Sequence, residues 1–430
     1  MGGERFTVRV QLKVASQASV PFAAMAGRHR LTDLGHTKGY GADMHVMIAG
    51  AGIGGCAAAW ALQRQGFTVT VFERASELRE VGAGLSLWSN ATRVLRRLEL
   101  GHVVEELSVG MADGGLYAHT GEQLARNSMQ ALNDRYGDPN IVVHRADLLE
   151  ALVAAVGRDN IRTDASCVGV TQTEDAVTLT LKGGEEVTGD VLIGADGIKS
   201  TVRRALGIPL QLRYSGAVGI RGILTLADSD IAPDEYVYGI YMGEGRHVGL
   251  MPLTEGRAYW FVSESAPRGS LPGPDGDRAT FSDRLAHWPS AISRMIRATP
   301  EDAILRNDIY DQKPVSWWCD GRVALLGDAA HATTPNLGQG ACQALEDALV
   351  LAHCLAHRSE TPAQALRDYQ HQRKRRAYRV VTESWWAGRM FNVANPLLCT
   401  LRNLALRKRG DARNVEQLAW LLDEPFALTG

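Results

Sequence analysis

The sequence predicts an α/β fold with an inserted β-sheet domain and a helical C-terminal region, and three observations carry that reading. Three short apolar runs, Val46–Ala49, Val191–Ile193 and Val323–Leu326, each lead into a glycine-containing turn followed by a helical pattern. Between the second and third of these, residues 214–265 alternate in β-like runs. Ala363–Leu406 then keeps a helical pattern with few breakers. Apolar strands that alternate with helices build a parallel sheet, whereas period-two runs build an open sheet with two distinct faces.

The first unit is the most specific. Val46–Ala49 has the continuous apolar character of a buried parallel strand. Gly50, Gly52 and Gly55 follow in the spacing G-x-G-x-x-G, then the helix-forming CAAAWALQRQ, then Gly66 and the strand-like TVTVFE. Gly50 permits the tight turn, Gly52 lets a pyrophosphate approach bare backbone, and Gly55 lets the helix lie close to the sheet. The helix N-terminus offers free N–H groups and a positive dipole end to phosphates. Glu73 lies 18 residues beyond Gly55, where a carboxylate can accept from both hydroxyls of a ribose. The glycines alone would be weak evidence. Strand, glycines, helix, strand and acid in that order predict a Rossmann-type dinucleotide site.

Composition sets limits on the rest. The chain has 430 residues, 45% hydrophobic and 22% charged, with a formal net charge of −2. That is room for two or three domains, without the basic balance that nucleic-acid binding needs. Cys56, Cys167, Cys319, Cys342, Cys354 and Cys399 are scattered without a C-x-x-C pair. They imply neither a metal site nor a disulfide framework, and point to a reducing cytoplasm. No apolar run is long enough for an integral membrane span. Residues 1–43 carry six Lys/Arg against three Asp/Glu and no sustained period. They are expected to be a disordered extension, or to precede a working start at Met44.

In chain order, Arg74 opens a polar loop, and SNATRVLRRL has helical spacing with Ser89 or Asn90 as the expected cap. Leu107–Asn127 alternates in short β-like runs, and residues 144–156 form an amphipathic helix with Arg145 at its entrance. A lone cation there is ordinarily just solvated. Residues 161–193 read as a meander turning at Gly183-Gly184. Asp196-Gly197 forms a turn beyond the second apolar run, and Ser200 can cap the next helix. In the β-rich stretch, alternation puts Ile220, Gly222 and Leu224 on one face and Arg221, Ile223 and Thr225 on the other. Residues 281–300 have helical spacing suited to covering that sheet. Asp328 stands at the carboxyl end of the third run, where α/β folds bind ligands, and could accept from a polyol hydroxyl. Gly338 and Gly340 open a long helix, and the basic run Arg373–Arg376 further on reads as a solvated face.

With these motifs in view, the chain from Met44 to about Arg409 resembles the single-component FAD-dependent aromatic hydroxylases, the class A flavoprotein monooxygenases. GAGIGG with Glu73, GADGIKSTVR at 194–203 and GDAAHATTPNLGQGA at 327–341 carry the likeness, the last being the longest and most specific. The resemblance is greatest to salicylate hydroxylase, 3-hydroxybenzoate 6-hydroxylase and FAD-dependent urate hydroxylase relatives. It implies a Rossmann-type FAD-binding domain assembled from residues 44–110, 143–210 and 305–375. A β-rich substrate domain would comprise 111–142 and 211–304, with C-terminal helices over 376–430.

By the same resemblance, Gly50, Gly52, Gly54 and Gly55 would hold the FAD pyrophosphate, and Glu73 with Arg74 the adenosine ribose end. Arg145 would contact the flavin chain. Asp196-Gly197 would serve both FAD and NAD(P)H, and Asp328 the ribityl chain. Gly338, Gln339, Gly340 and Ala341 would face the flavin ring. NADH or NADPH would supply electrons and O₂ the oxygen, transferred through a flavin C4a-hydroperoxide. Arg221 is a candidate for holding an anionic or phenolic ring, with Tyr241 and Trp260 expected on neighbouring strands; Arg221 and Tyr241 are the candidate catalytic residues. His331 is as readily structural as a proton shuttle. The implied partner is a small-molecule aromatic substrate, with no nucleic acid, no integral membrane and a monomer or homodimer. Two alternatives stay open: an epoxidase or reductase of a larger polycyclic or isoprenoid substrate, and a flavin-binding protein without turnover.

Overall fold

The structure, a computed structural model, describes residues 44–78, 83–110, 114–231, 238–358, 360–408 and 411–423; the N-terminal extension of the sequence reading lies outside them. A six-stranded sheet runs in the order Cys319–Asp320, Val323–Leu325, Val191–Gly194, His45–Ala49, Thr68–Phe72, Ile161–Arg162. Every pair is parallel except the first. The central strands are apolar and buried apart from His45 at the start of one of them, as strands covered on both faces must be. Their register sets Ala49 beside Gly194 and Gly194 beside Leu325. Three turns far apart in sequence therefore emerge side by side at one sheet edge.

Helix Ile53–Arg64 packs against helix Gly340–His357. Apart from Ile53 and Leu62 its buried residues are small, with Gly55, Cys56, Ala57, Ala58, Ala59 and Ala61, which lets the two backbones approach closely. The 30-residue helix Pro362–Phe391 lies along Gly340–His357 and reaches the second layer at strands Leu212–Thr225 and Leu305–Gln312. It is the brace between the layers. The helix at 89–97 starts differently from expectation. Trp88 is its N-cap residue, and no side chain caps it. Ser89 and Asn90 are instead inside the helix, because the Ser89 N–H is taken by Asn140 Oδ1 at 2.9 Å and Asn90 is drawn toward Glu346. Ser200 does cap the next short helix, accepting from Arg203 N–H at 2.9 Å.

The second layer is a seven-stranded sheet ordered Leu305–Gln312, Leu212–Thr225, Arg257–Ser265, Arg246–Pro252, Gly239–Met242, Gly114–Ala118, Gln123–Asn127. It is antiparallel except where Gly239–Met242 meets Gly114–Ala118. That parallel pair arises because the last two strands come from a segment about a hundred residues earlier. The alternation read from residues 220–225 holds: Ile220, Gly222 and Leu224 are buried, while Arg221, Ile223 and Thr225 are not. Helices Gly276–Arg284 and Ser290–Ala298 cover the buried face, with Phe281, Leu285, Ile292 and Met295 against Ile220, Val248, Trp260 and Val262.

Trp260 belongs to this helix-covered core, fully buried with its indole N–H on Thr299 Oγ1 at 2.9 Å. Trp260→Ala should cost about 3–5 kcal/mol of stability, read as a lower urea midpoint, while the FAD bound per folded molecule stays unchanged. Loss of FAD without loss of stability would contradict this placement.

Candidate functional site

At the shared sheet edge the glycines divide by role. Gly50 has φ +107°, and a Cβ there would lie 2.4 Å from the Ala195 carbonyl oxygen. A Cβ on Gly55 would lie 1.9 Å from the Gly50 carbonyl oxygen, so neither position accepts a side chain without opening the turn. Gly52 faces open space, with nothing within 4 Å of its Cβ position, as close approach of a phosphate requires. Gly54 serves packing. Its Cβ would meet Leu326 Cδ2 at 2.8 Å and Ala344 Cβ at 3.1 Å.

Glu73 is held by two backbone N–H groups, Ala51 to Oε2 at 2.8 Å and Ala75 to Oε1 at 3.0 Å. Each oxygen keeps a lone pair for a hydroxyl donor, and Arg74 lies exposed beside it. Asp196 uses Oδ2 to accept from the Thr201 and Val202 N–H groups at 2.6 and 3.3 Å. Its Oδ1 is buried with no hydrogen-bond partner. Buried acceptors are seldom left so, and this one fits a group that a ligand donor completes. Gly197 follows at φ +78° with open space around it. Asp328 has an exposed side chain, yet the protein packed around its carboxyl raises it above the ordinary range, opposed by the His331 and Arg145 charges. Arg145 begins the helix Arg145–Val156, its N–H bonded to the Ala83 carbonyl at 2.9 Å.

Gly338 adopts φ +62°, and a Cβ there would lie 3.2 Å from Trp88 Nε1, itself a buried donor without a partner. Gly340 and Ala341 open the 18-residue helix. Gln339 is fully buried, and its Oε1 accepts from Asn90 Nδ2 and Gln343 Nε2 at 3.1 Å each. Its side chain is committed to the interior, which leaves only its backbone for a ligand.

That glutamine belongs to a buried polar network the sequence reading missed. Arg373 donates to Asp347 Oδ1 at 2.7 Å, to Glu346 Oε2 at 2.5 Å and to Gln343 Oε1 at 2.8 Å. Arg376 donates to both Glu346 oxygens at 2.8 Å. Asp347 Oδ2 in turn accepts from Gly327 N–H at 3.0 Å and pairs with His331 Nε2 at 2.7 Å. Burial alone would raise the Asp347 carboxyl, but the His331 and Arg373 charges outweigh it and hold it down at about 2. The basic run is therefore corrected: Arg373 is 0% exposed, because two buried carboxylates demand it. The signal was Glu346-Asp347 inside an otherwise apolar helix. His331 is structural by this geometry, clamped between Asp347 and the Trp318 ring.

On the second sheet, register settles the faces. Arg221 pairs with Phe261 and Phe261 with Gly249, so these share the face turned to the nucleotide layer, where Tyr259 packs on Gly84 and Met251 meets Ser86. Arg221 gives one N–H to Asn307 Oδ1 at 3.2 Å, and its Nε is buried without a partner. Burial pushes the Tyr259 hydroxyl up to about 12, with Arg221 opposing. Tyr241 does not join them. It pairs with Val248, which pairs with Val262, and so lies on the helix-covered face, stacked on Tyr117 at 4.9 Å. Tyr241 and Trp260 are thus withdrawn from the ring-binding group, since an odd-even count on separate strands cannot fix their mutual register.

A cavity of about 390 Å³ opens between this face and the third motif. Ala217, Ser263 and Thr334 form its buried floor, while Arg389, Ala394, Asn395 and Leu398 form an exposed rim. Asn392 lines the wall, donating to Ser263 Oγ at 3.0 Å and accepting from His247 Nδ1 at 2.7 Å. Burial, followed by the Arg402 charge, holds His247 down at about 4 against the Asn392 bond, so the ring is neutral and Nδ1 carries its proton.

The FAD binding domain family model matches residues 43–384. The chain belongs to the FAD-dependent monooxygenases of the aromatic-hydroxylase family. It is 38% identical over 380 residues to an aurachin C monooxygenase/isomerase from Stigmatella aurantiaca, covering 87% of this chain and 97% of that protein. It is 36% identical over 333 residues to a FAD-dependent urate hydroxylase from Klebsiella pneumoniae, covering 77% and 86%. The FAD- and uric acid-bound HpxO structure from Klebsiella pneumoniae superposes with TM-score 0.81 at 31% identity, covering 87% and 95%. The protein is an oxidoreductase that uses FAD, NAD(P)H and O₂, and no helix among the described residues is long and apolar enough to cross a membrane.

Two measurements check this geometry. Glu73→Ala should raise the FAD dissociation constant about 10- to 100-fold, the value of one to two hydrogen bonds to a charged acceptor, with the fold retained. Asp347 takes up its proton at a lower pH in the folded chain than in the unfolded chain. Its contribution to stability is complete above about pH 4 and is lost as pH falls toward about 2. The urea midpoint should fall steeply over that window and less steeply in Asp347→Asn; parallel profiles would show that Asp347 is not the titrating group.

Proposed function

We propose that this protein hydroxylates a small aromatic or heteroaromatic compound whose ring occupies the 390 Å³ cavity. The observation that carries the reading is the cavity's composition. Thr334 and Asn336 come from the third motif, four and two residues before Gly338, while Ser215, Ala217 and Ser263 come from the inner face of the second sheet. A ring seated there is bounded by both layers. The named activities of relatives support the substrate class: urate hydroxylase and 3-amino-4-hydroxybenzoate 2-monooxygenase.

Bound FAD supplies the redox and oxygen-activating chemistry. The chain's own residues do the holding. Gly50, Gly52, Gly55 and Glu73 seat the dinucleotide end, Asp196 Oδ1 offers an acceptor, and Asp328 lies beyond them within reach of the Arg145 charge. The Gly338–Ala341 segment presents backbone N–H groups at the start of a long helix, where negative charge is favoured. Ser263 and Asn392 give the cavity a neutral hydrogen-bonding wall, and His247 fixes the Asn392 amide. Arg221 stands four residues along its strand from Ala217, outside the cavity lining, with Nε available to an anionic edge of substrate or cofactor. All six cysteines are free thiols, which suits a reducing cytoplasm.

The test is NADH and NADPH oxidation by the FAD-loaded protein against phenols, aromatic acids, purines and quinolones, with mass detection of products. The expected result is strong stimulation by one ring class and a product heavier by one oxygen atom. If flavin reduction is ordinary but no compound stimulates it or gains oxygen, the small-ring reading is rejected. Arg221→Ala should raise KM for an anionic substrate whose charged edge reaches beyond the cavity to Nε, or the FAD dissociation constant where the cofactor takes that group; no change in either would remove Arg221 from the site.

A further inference from the structure

Four of the eight large hydrophobic side chains exposed on the described surface lie on one short helix, Pro396–Arg407. They are Leu397, Leu398, Leu401 and Leu404, exposed by 69%, 52%, 54% and 44%. Leu397, Leu401 and Leu404 follow the i, i+4, i+7 spacing of one helix face, and Leu398 adjoins Leu401 across one turn. The opposite face is already used: Cys399, Arg402 and Leu406 are buried, and Arg402 donates to the Phe391 carbonyl at 3.1 Å. The leucines are therefore not a core stripe waiting for another part of the described fold. An apolar stripe this continuous marks something that it binds.

Its position says what. Leu398 is at once a member of the stripe and part of the cavity rim. From the buried floor at Ala217, Ser263 and Thr334, the cavity opens past Asn395 and Leu398 directly onto this helix. The inner wall is mixed, with Ser263, Thr334, Asn336 and Asn392 offering hydrogen-bonding groups beside Trp385 and Ile309, whereas the surface beyond the rim is leucine. A pocket with hydrogen-bonding groups beside apolar walls suits a ring with polar substituents, and the apolar stripe that continues it suits a chain attached to that ring.

Resting on the cavity reading above, we infer that the substrate is amphipathic: a polar aromatic ring that enters the cavity, bearing an alkyl or prenyl chain that lies along Leu398, Leu401 and Leu404. The stripe runs about 10 Å from Leu397 to Leu404 at the helical rise per residue, enough for a chain of several carbons. Each methylene laid against leucine leaves water and adds to affinity.

The experiment uses FAD-loaded full-length protein and two probe series, 4-alkylresorcinols and 2-alkyl-4-quinolones, with chains of one, five and nine carbons. Binding is read from the perturbation of flavin absorbance, which does not require turnover. For at least one ring, Kd should fall about two- to fourfold per added methylene. In the double variant Leu401→Gln/Leu404→Gln that gain should flatten, while Kd for the one-carbon member is unchanged. Equal chain-length dependence in both proteins overturns the inference. So does sedimentation showing that the variant dissociates a dimer, or flotation showing that it releases the protein from anionic phospholipid vesicles, with the chain-length dependence intact. If no probe of any length perturbs the flavin, the cavity reading fails first and this inference falls with it.

Discussion

The arrangement of the site depends on one buried cation. Arg373 reaches both Glu346 and Asp347 from the neighbouring helix, and Asp347 passes the constraint to Gly327 and His331. Those two residues bracket the turn that presents Asp328. Glu346 extends the same constraint through Asn90 to Gln339, at the start of the glycine-opened helix. Removing so many charged groups from water is costly, and their mutual attraction offsets it only when hydrogen bonds are nearly complete. Here they are nearly complete. The network is better understood as fixing geometry than as adding stability, because a well-packed apolar core could do the latter with less desolvation.

What that geometry fixes is a meeting point. Parallel register places the ends of three strands together, and each strand end releases a turn with a different job. The first is bare backbone, the second holds a carboxylate with one oxygen left over, and the third combines an acid with a helix start. Tight glycine contacts at Gly50, Gly54 and Gly55 allow no drift between helix, turn and sheet. The helix Pro362–Phe391 then ties this layer to the second sheet, so the cavity between them has walls from both. The cavity wall is neutral where the network is charged: His247 is kept uncharged by burial, and its asparagine and serine neighbours carry the hydrogen bonding. Charge is concentrated behind the turn that presents Asp328 and is sparse on the cavity floor.

The nucleotide end was legible because its requirements are local. A tight turn, a close approach and an acid one βαβ unit later are each met within 28 consecutive residues, Val46–Glu73, so their spacing survives in one dimension. The second and third motifs gained their roles only through the family resemblance, because alone Asp196-Gly197 reads as a turn before a capped helix and Asp328 as an acid at a strand end. The face of Arg221 was also correctly read, since alternation within one strand needs no partner. Tyr241 and Trp260 were not, because their face relative to Arg221 depends on pairing across strands, and a shift of one residue inverts it.

The sequence by itself determined the fold class, the glycine turn and the acid that accepts from its Ala51 N–H, because backbone sterics and short-range spacing decide these. Tertiary structure alone decided that Arg373 is a core residue, that His247 braces Asn392 in the cavity wall, and that a leucine stripe meets the cavity mouth. In the first two cases the partners stand 26 or more residues apart, as with Asp347 and Arg373 or His247 and Asn392, and in the third the cavity floor comes from Ala217, Ser263 and Thr334, far from the leucines in sequence. Desolvation and complementary charge act through space, and a run such as RKRR looks the same on a solvated face as it does against two buried carboxylates.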